Sequence, residues 1–195
     1  MNFLAHFFLS HQTPELMVGS YLGDFVKGKQ YQQYEPAVGE GILLHREIDR
    51  YTDVHPSFLQ SKRRLSTHHG HYAGVIVDIF YDHLLAAHWP MYSDVPLPRF
   101  AQRVYSTLTQ RRELMPPLAR QVFGYMKEYD WLASYAHVEG VARTLSGMQR
   151  RARFPNRMGQ ATADLARHKH LYTLEFQEFF PQVQQHVTKF SSNDY

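Results

Sequence analysis

The chain has 195 residues, of which 20% are charged and 14% are aromatic, and its formal net charge is +3. This length and composition are typical of one globular domain with a full core, and they exclude a disordered chain. The absence of cysteine excludes disulfides, zinc–thiolate sites and thiol catalysis.

The first ten residues predict a short helix. Phe3, Leu4, Phe7 and Phe8 recur at helical spacing. The segment lacks the basic start and the small-residue cleavage site of a signal peptide. No apolar run in the chain reaches the roughly 18 residues that a transmembrane helix needs. We therefore expect a cytoplasmic protein without a membrane partner.

A second helix is predicted to begin at Thr13-Pro14-Glu15 and to reach Phe25. The order of a capping hydroxyl, a proline and an acid is typical of a helix start. Asp24 falls near the C-terminal end, where the helix dipole disfavours an acid. A charge in an unfavourable position indicates a candidate for function.

A third helix is predicted over residues 36–55. Gly39 and Gly41 in its first turns indicate a close packing contact. His45 and Asp49 lie four residues apart and share one face of this helix. A histidine alone is more often a core side chain, but its combination with Asp49 makes the pair candidate metal ligands.

The predicted helix over residues 72–88 holds two acids in an apolar setting. Apolar side chains point in almost every direction around it, which predicts burial. Asp78 and Asp82 lie one turn apart, and buried carboxylates must be neutralised, paired or bound to a cation. An arginine partner or a helix cap is the alternative for either acid alone. The pair indicates a bound metal ion.

The rest of the chain also has helical periodicity. Helices are predicted over residues 57–65, 99–114, 117–129, 131–148 and 161–187, the last with a break at Pro181. No segment alternates like a strand. The predicted fold class is therefore all-α, a single-domain multi-helix bundle over residues 1–195 with seven to nine helices.

Six side chains on four predicted helices are candidate metal ligands: His6, Asp24, His45, Asp49, Asp78 and Asp82. Oxygen-rich donor sets with one or two imidazoles favour Mg²⁺, Mn²⁺ or Fe²⁺, with zinc possible. Helices of a bundle can direct such ligands into a common core site. Motifs of diiron oxidases, zincins, serine hydrolases and P-loop proteins do not occur. A metal-assisted hydrolase that uses activated water is the remaining enzyme class.

Four motifs resemble, in register, those of a known family. They are Met1-Asn2-Phe3-Leu4-Ala5-His6, Gly23-Asp24-Phe25-Val26-Lys27-Gly28, His45-Arg46-Glu47-Ile48-Asp49 with Thr52-Asp53, and Asp78 with Asp82-His83. The chain resembles the bacterial acyl carrier protein phosphodiesterases, or ACP hydrolases, over nearly its whole length. The resemblance implies hydrolysis of the phosphodiester between 4′-phosphopantetheine and a serine of holo-acyl carrier protein, with Mn²⁺ or Mg²⁺.

The resemblance also implies an HD-phosphohydrolase-like fold, although the chain has no adjacent His-Asp dyad. We rank Asp24, His45, Asp49 and Asp78 first as metal ligands, followed by Asp82. Asp24 is also a candidate catalytic residue. His83 is the first candidate to protonate the leaving serine oxygen, and His6 is the competing candidate.

The expected partner is the acidic acyl carrier protein rather than nucleic acid or a membrane. Its predicted docking surface consists of Lys62, Arg63, Arg64, Arg111, Arg112, Arg150 and Arg151. Solvated helix surface is the alternative for each basic run. Two other functions stay open: a nucleotide phosphohydrolase of HD type, and a non-catalytic basic helical module that binds nucleic acid through residues 150–157. The second leaves the buried carboxylates unexplained.

Overall fold

The computed structural model describes residues 2–192, with side chains described as far as residue 190. Over this range the chain forms ten α-helices and no strand, so the all-α prediction is confirmed. The helices are α1 (Phe3–Leu9), α2 (Pro14–Leu22), α3 (Pro36–Val54), α4 (Pro56–His69), α5 (Ala73–Ala87), α6 (Leu97–Gln110), α7 (Pro117–Glu128), α8 (Trp131–Ser134), α9 (Val138–Arg151) and α10 (Thr162–Ser192). One segment predicted as a single helix forms two, α8 and α9.

Helix α2 ends earlier than the sequence predicted, and a turn follows it. Thr13 caps the helix as expected, because its hydroxyl accepts the N–H of Leu16 at 3.2 Å. The helix ends at Leu22, before the predicted Phe25. The N–H groups of Phe25 and Val26 both donate to the carbonyl oxygen of Leu22 at 2.9 Å. Asp24 therefore lies in the closing turn rather than on the helix.

Two glycines bring α2 and α3 into backbone contact. A Cβ on Gly19 would lie 2.1 Å from the carbonyl oxygen of Val38, and one on Gly41 would lie 2.5 Å from that of Leu16. No side chain fits in either place, so the two helices pack closely only with glycine there. This contact confirms the prediction at Gly41 and brings the end of α2 to the middle of α3.

The central helix α5 is apolar all round, as predicted, and packs against α1, α4, α9 and α10. Asp82 lies within this core and is 0% exposed. Its carboxylate oxygens accept the N–H groups of Leu4 at 2.8 Å and Ala5 at 3.1 Å. These are first-turn donors of α1, which have no partner within their own helix. Asp82 thus caps α1 from a neighbouring helix.

This position does not support the prediction that Asp82 is a metal ligand. Both of its oxygens are occupied by backbone N–H groups. Burial raises the pKa of the Asp82 carboxyl to about 7, although the hydrogen bonds from Leu4 and Ala5 act in the opposite direction. The helix cap, which was the alternative for a single buried acid, is the observed arrangement.

Asp82→Ala should lower the free energy of unfolding by about 2 to 4 kcal/mol at pH 5, because two buried N–H groups lose their acceptor. The pKa of about 7 in the folded state lies above the ordinary value of 3.8. The folded state therefore holds this proton more tightly, and the resulting stability is lost as the pH rises from about 4 to about 7. The difference between the native chain and the variant should be smaller at pH 8 than at pH 5.

Urea denaturation at the two pH values measures this difference. The exposed Asp94 provides a matched control, since Asp94→Ala removes a carboxylate that lies outside the core. An unchanged free energy of unfolding in Asp82→Ala would contradict the capping role.

The last helix, α10, bends in a different place from the one predicted. His168 has non-helical backbone angles, φ −121° and ψ 21°, whereas the helix continues through Pro181. The predicted break at Pro181 is therefore wrong. Pro181 and Gln177 are both exposed, so the carbonyl group left without an N–H donor by the proline can be hydrated by water.

Among the helices of residues 2–192, none is both long and apolar enough to span a lipid bilayer.

Candidate metal centre

Three side chains from α1 and α3 meet in one cluster, the ligand cluster: His6, His45 and Asp49. Nε2 of His6 lies 3.0 Å from Oδ1 of Asp49, and Nε2 of His45 lies 3.2 Å from Oδ2 of the same carboxylate. The two imidazole rings stack with their centroids 4.0 Å apart. One ligand atom from each residue lies within 4.8 Å of those of the other two. This donor set could hold a metal ion.

Asp24 extends the cluster from the turn after α2. Its Oδ1 lies 3.6 Å from Nε2 of His45, and its side chain is 49% exposed. His45 therefore faces two carboxylates, one from its own helix and one from the neighbouring turn. The close contact between α2 and α3 is what brings this turn to His45.

Gly23 makes room for the His45 ring. A Cβ on Gly23 would lie 2.3 Å from Cγ of His45 and 2.5 Å from its Cδ2. The imidazole thus occupies the space that any other residue at this position would need. The sequence analysis missed this role, because it used the Gly23-Asp24 pair only as part of a family motif.

The charges of the cluster follow from its hydrogen bonds. Burial tends to raise the pKa of the Asp49 carboxyl, but the hydrogen bonds from His45 and His6 hold that pKa well below its usual range. Burial tends to lower the pKa of His45, but the contacts with Asp24 and Asp49 raise it to about 9. Burial, together with the neighbouring charge of His45, lowers the pKa of His6 to about 4. Without a bound ion, His45 is a cation near neutral pH and His6 is neutral, so a metal ion that binds Nε2 of His45 must displace its proton.

A cavity of about 350 Å³, the carboxylate cavity, opens beside the cluster. Its lining residues are Asn2, Phe3, Asp24, Asp49, Asp53, Val75, Asp78, Ile79 and Met148. Asp78 is half-buried, and burial raises the pKa of its carboxyl. Four acids beside the single charged imidazole of His45 make this cavity suitable for a cation. Asp53 belongs to the third family motif but was not predicted as a ligand.

The structure thus brings together most of the predicted ligands. Asp24, Asp49 and Asp78 line one cavity, and His45 contacts the first two. His6, a candidate both as a metal ligand and as the proton donor, belongs to the ligand cluster. Of the six candidate ligands, Asp82 is the one that neither belongs to this cluster nor lines the cavity.

His83 lies in a different environment from the one predicted for a proton donor. It is buried on α5, and its Nδ1–H donates to the carbonyl oxygen of Tyr135 at 2.7 Å. It is not among the residues that line the carboxylate cavity. This placement does not support the predicted role of His83 in protonating the serine oxygen.

Two predicted docking residues are used within the fold. Arg64 forms a bidentate ion pair with Glu175, with N–O distances of 2.8 and 2.6 Å. Its guanidinium lies 4.9 Å from the centre of the Tyr172 ring. Arg111 pairs with Glu15 at 2.9 Å. These acids largely neutralise the two charges, which does not support the prediction that both arginines belong to a docking surface. Of the other predicted docking residues, Lys62 is half-buried and four are exposed: Arg63, Arg112, Arg150 and Arg151.

Comparison with known proteins gives a consistent result over the whole chain. The family model described as acyl carrier protein phosphodiesterase matches residues 1–183. A protein of that name from Serratia proteamaculans is 33% identical over 186 residues, which cover 95% of this chain and 96% of the relative. Proteins of the same name from Enterobacter sp. and Photorhabdus laumondii are 31% and 30% identical over 184 and 185 residues. These alignments cover 94% and 93% of this chain, and 95% and 92% of the respective relatives.

No solved structure matches the chain. The HD-phosphohydrolase-like part of the fold prediction therefore stays a prediction.

Proposed function

Because this chain belongs to the acyl carrier protein phosphodiesterase family, we propose that it releases 4′-phosphopantetheine from holo-acyl carrier protein at the ligand cluster. The family membership predicted from four motifs is confirmed by the match over residues 1–183. The chain is a phosphodiesterase of this family. The observation that carries the choice of site is the joint contact of His6 and His45 with Asp49, next to a cavity lined by carboxylates.

The proposed ligands are His6, His45 and Asp49, with Asp24 as a fourth ligand and Asp78 in the cavity wall. The donor chemistry fits Mn²⁺ or Mg²⁺, with Fe²⁺ as an alternative, because two carboxylates join the two imidazoles and two further acids, Asp53 and Asp78, line the cavity. A divalent ion held by these residues would lower the pKa of water and offset negative charge on the phosphoryl oxygens. Asp49 contacts both imidazoles and so fixes their orientation.

The proposed reaction exchanges one phosphorus–oxygen bond for another. The oxygen of water bonds to phosphorus, the bond from phosphorus to the serine oxygen breaks, and the serine oxygen takes up a proton. The phosphate leaves with the pantetheine. The carboxylate cavity admits the phosphate to the ligand cluster. His6 acts here as a ligand, and His83 has no assigned role in this reaction.

The test is incubation of holo-acyl carrier protein with the chain and Mn²⁺, with and without a chelator, followed by intact mass measurement. We expect loss of the phosphopantetheine mass with Mn²⁺ and no loss with the chelator. Unchanged holo-protein with Mn²⁺, Mg²⁺ and Fe²⁺ would overturn the proposed function. Equal turnover with chelator would overturn only the role of the metal.

Two further assays test the other functions left open by the sequence. A nucleotide phosphohydrolase would release phosphate or nucleoside from nucleotides under the same conditions. A module that binds nucleic acid would show salt-sensitive binding that the chelator does not change. The cytoplasmic location stays a prediction.

We also propose that Arg150 and Arg151 help to dock the acidic carrier protein. Both are exposed near the C-terminal end of α9. Reversing both charges with Arg150→Glu and Arg151→Glu should lower kcat/KM on holo-protein by about tenfold at low salt, because surface charge mainly accelerates association. The loss should become smaller at high salt, where exposed charges are screened.

Arg167→Glu provides the control for charge reversal, since Arg167 is exposed on α10. It should leave kcat/KM nearly unchanged. A loss of the same size at low and high salt, or one equalled by Arg167→Glu, would speak against docking through α9.

A further inference from the structure

A second cavity, of about 570 Å³, adjoins the carboxylate cavity. Asn2, Phe3 and Met148 line both of them. Asn2 donates its amide N–H to the hydroxyl of Tyr135 at 2.8 Å, and the ring of Phe3 lies 6.3 Å from that of Trp131. The side chains at this junction are therefore held by the walls of the larger cavity. The two cavities therefore adjoin at these three side chains.

The walls of the larger cavity differ in chemistry from those of the carboxylate cavity. One side is aromatic, with Tyr125, Tyr129 and Trp131 from α7, α8 and the turn between them. The other side is α9, which contributes small and hydroxyl side chains such as Ala142, Thr144 and Ser146, and three arginines, Arg143, Arg150 and Arg151. No acid occurs among its lining residues in the described part of the chain.

These walls suit a slender organic ligand that combines apolar and amide groups. Aromatic and small apolar side chains cover the apolar parts of such a ligand, and the hydroxyl groups can bond its amides. The volume lies within the roughly 300 to 1,000 Å³ typical of small-molecule sites, so it is too small for a folded partner. Pantetheine has this chemistry, with two amides, a branched apolar segment and a terminal thiol.

We propose that the larger cavity binds the pantetheine arm of the substrate while the phosphate lies in the carboxylate cavity. The inference rests on the proposed function above. Phosphorus joins the serine oxygen of the carrier protein to the oxygen of the arm, so the arm needs a space of its own next to the one that holds the phosphate. The larger cavity adjoins the carboxylate cavity at Asn2, Phe3 and Met148.

Direct binding can be measured without the metal or the carrier protein. Trp131 is one of two tryptophans, and the other, Trp89, is buried with its indole N–H donating to the carbonyl oxygen of Val95. Free pantetheine, which has no phosphate, should change the fluorescence of the native chain in a saturable way. The change should disappear in Trp131→Phe. No saturable change up to millimolar pantetheine would overturn the proposal.

A second variant blocks the cavity instead of removing its walls. Ala142→Phe places a large ring in the cavity and should lower kcat/KM on holo-protein relative to the rate on bis(p-nitrophenyl) phosphate, a diester without the arm. We expect this ratio to fall by about tenfold or more. A mismatch of one methylene group in an apolar pocket already changes kcat/KM by about tenfold or more, and a phenylalanine ring excludes a larger part of the arm. Ala166→Phe is the matched control, because Ala166 is exposed on α10 and does not line the larger cavity.

The outcomes separate this inference from the proposed function. If the native chain does not cleave holo-protein, the proposed function fails, whatever the pantetheine titration shows. If the native chain cleaves it and Ala142→Phe keeps the native melting temperature and the native ratio, the arm lies elsewhere and the inference fails. Should Ala142→Phe not fold, Tyr129→Ala replaces it, because Tyr129 is an exposed part of the aromatic wall. An unchanged ratio in Tyr129→Ala then overturns the inference, and a lowered ratio supports it.

Discussion

Asp49→Asn is expected to lower kcat/KM on holo-acyl carrier protein by about 1,000-fold or more, which corresponds to about 4 kcal/mol of lost transition-state stabilisation. The amide has nearly the shape of the carboxylate but carries no charge, so the proposed metal ion would lose its central anionic ligand. The fold should survive the change. The Asp49 side chain is 41% exposed, so its ion pair with His45 and its hydrogen bond with His6 are partly screened by solvent.

Metal binding distinguishes a lost ligand from a damaged fold. A divalent ion at about 100 times its dissociation constant stabilises the native chain by about 2.7 kcal/mol, so Mn²⁺ should raise its melting temperature. The rise should be largely lost in Asp49→Asn and kept in Asp94→Asn, which changes an exposed acid outside the carboxylate cavity. Normal turnover together with a normal Mn²⁺ response in Asp49→Asn would show that Asp49 is not a ligand.

The second large effect is expected from Gly23→Ala. The added methyl group would lie 2.3 Å from Cγ of His45, so the ring must move out of its place. A displacement of about 1 Å at a reacting centre can cost about 100-fold in rate, and we expect a loss of that size in kcat/KM. Overpacking should also lower the free energy of unfolding by about 1 to 3 kcal/mol.

The backbone makes this variant a clean test of the contact. Gly23 has ordinary helical angles, φ −53° and ψ −36°, which alanine adopts without strain. Gly124→Ala is the matched control, since a Cβ there meets no atom within 4 Å in the middle of α7. The control should be as active as the native chain and up to about 1 kcal/mol more stable. Full activity in Gly23→Ala would mean that the position of the His45 ring does not matter for turnover.

Helical periodicity was sufficient to predict which side chains of one helix face the candidate site. His45 and Asp49 are four residues apart on α3, and the structure shows both facing the same cluster. The contact of His6 with Asp49 spans 43 residues. It depends on how α1 packs against α3, which no local pattern contains. The sequence therefore offered His6 as a candidate ligand, but it could not show that His6 meets Asp49.

The two acids of α5 also show that a local sequence pattern does not determine the environment of a side chain. Asp78 and Asp82 share one helix face and one type of apolar surrounding, so the sequence treats them alike. The structure gives them different environments, because the first turn of α1 reaches Asp82 and the carboxylate cavity reaches Asp78. Whether a buried acid meets N–H groups or a cavity is decided by elements far away in the chain.

The basic residues could not be sorted from sequence for the same reason. Arg64 and Arg150 both lie in short basic runs, one within a predicted helix and one just after a predicted helix. The partner of Arg64 is Glu175, 111 residues away on α10. The residues near Arg64 in the sequence therefore cannot predict this partner. The all-α class was easier to predict, because it depends on the absence of strand-like alternation throughout the chain.

The position of Asn2 and Phe3 determines where an affinity tag should be placed on the purified protein. Both residues line the junction between the two cavities. An affinity tag joined ahead of Asn2 would leave the fold beside this junction and could obstruct it. A histidine tag in that position would also bring additional imidazoles close to a group that can hold a metal ion. Assays of metal content and turnover are therefore better made on protein whose tag follows α10 or has been removed.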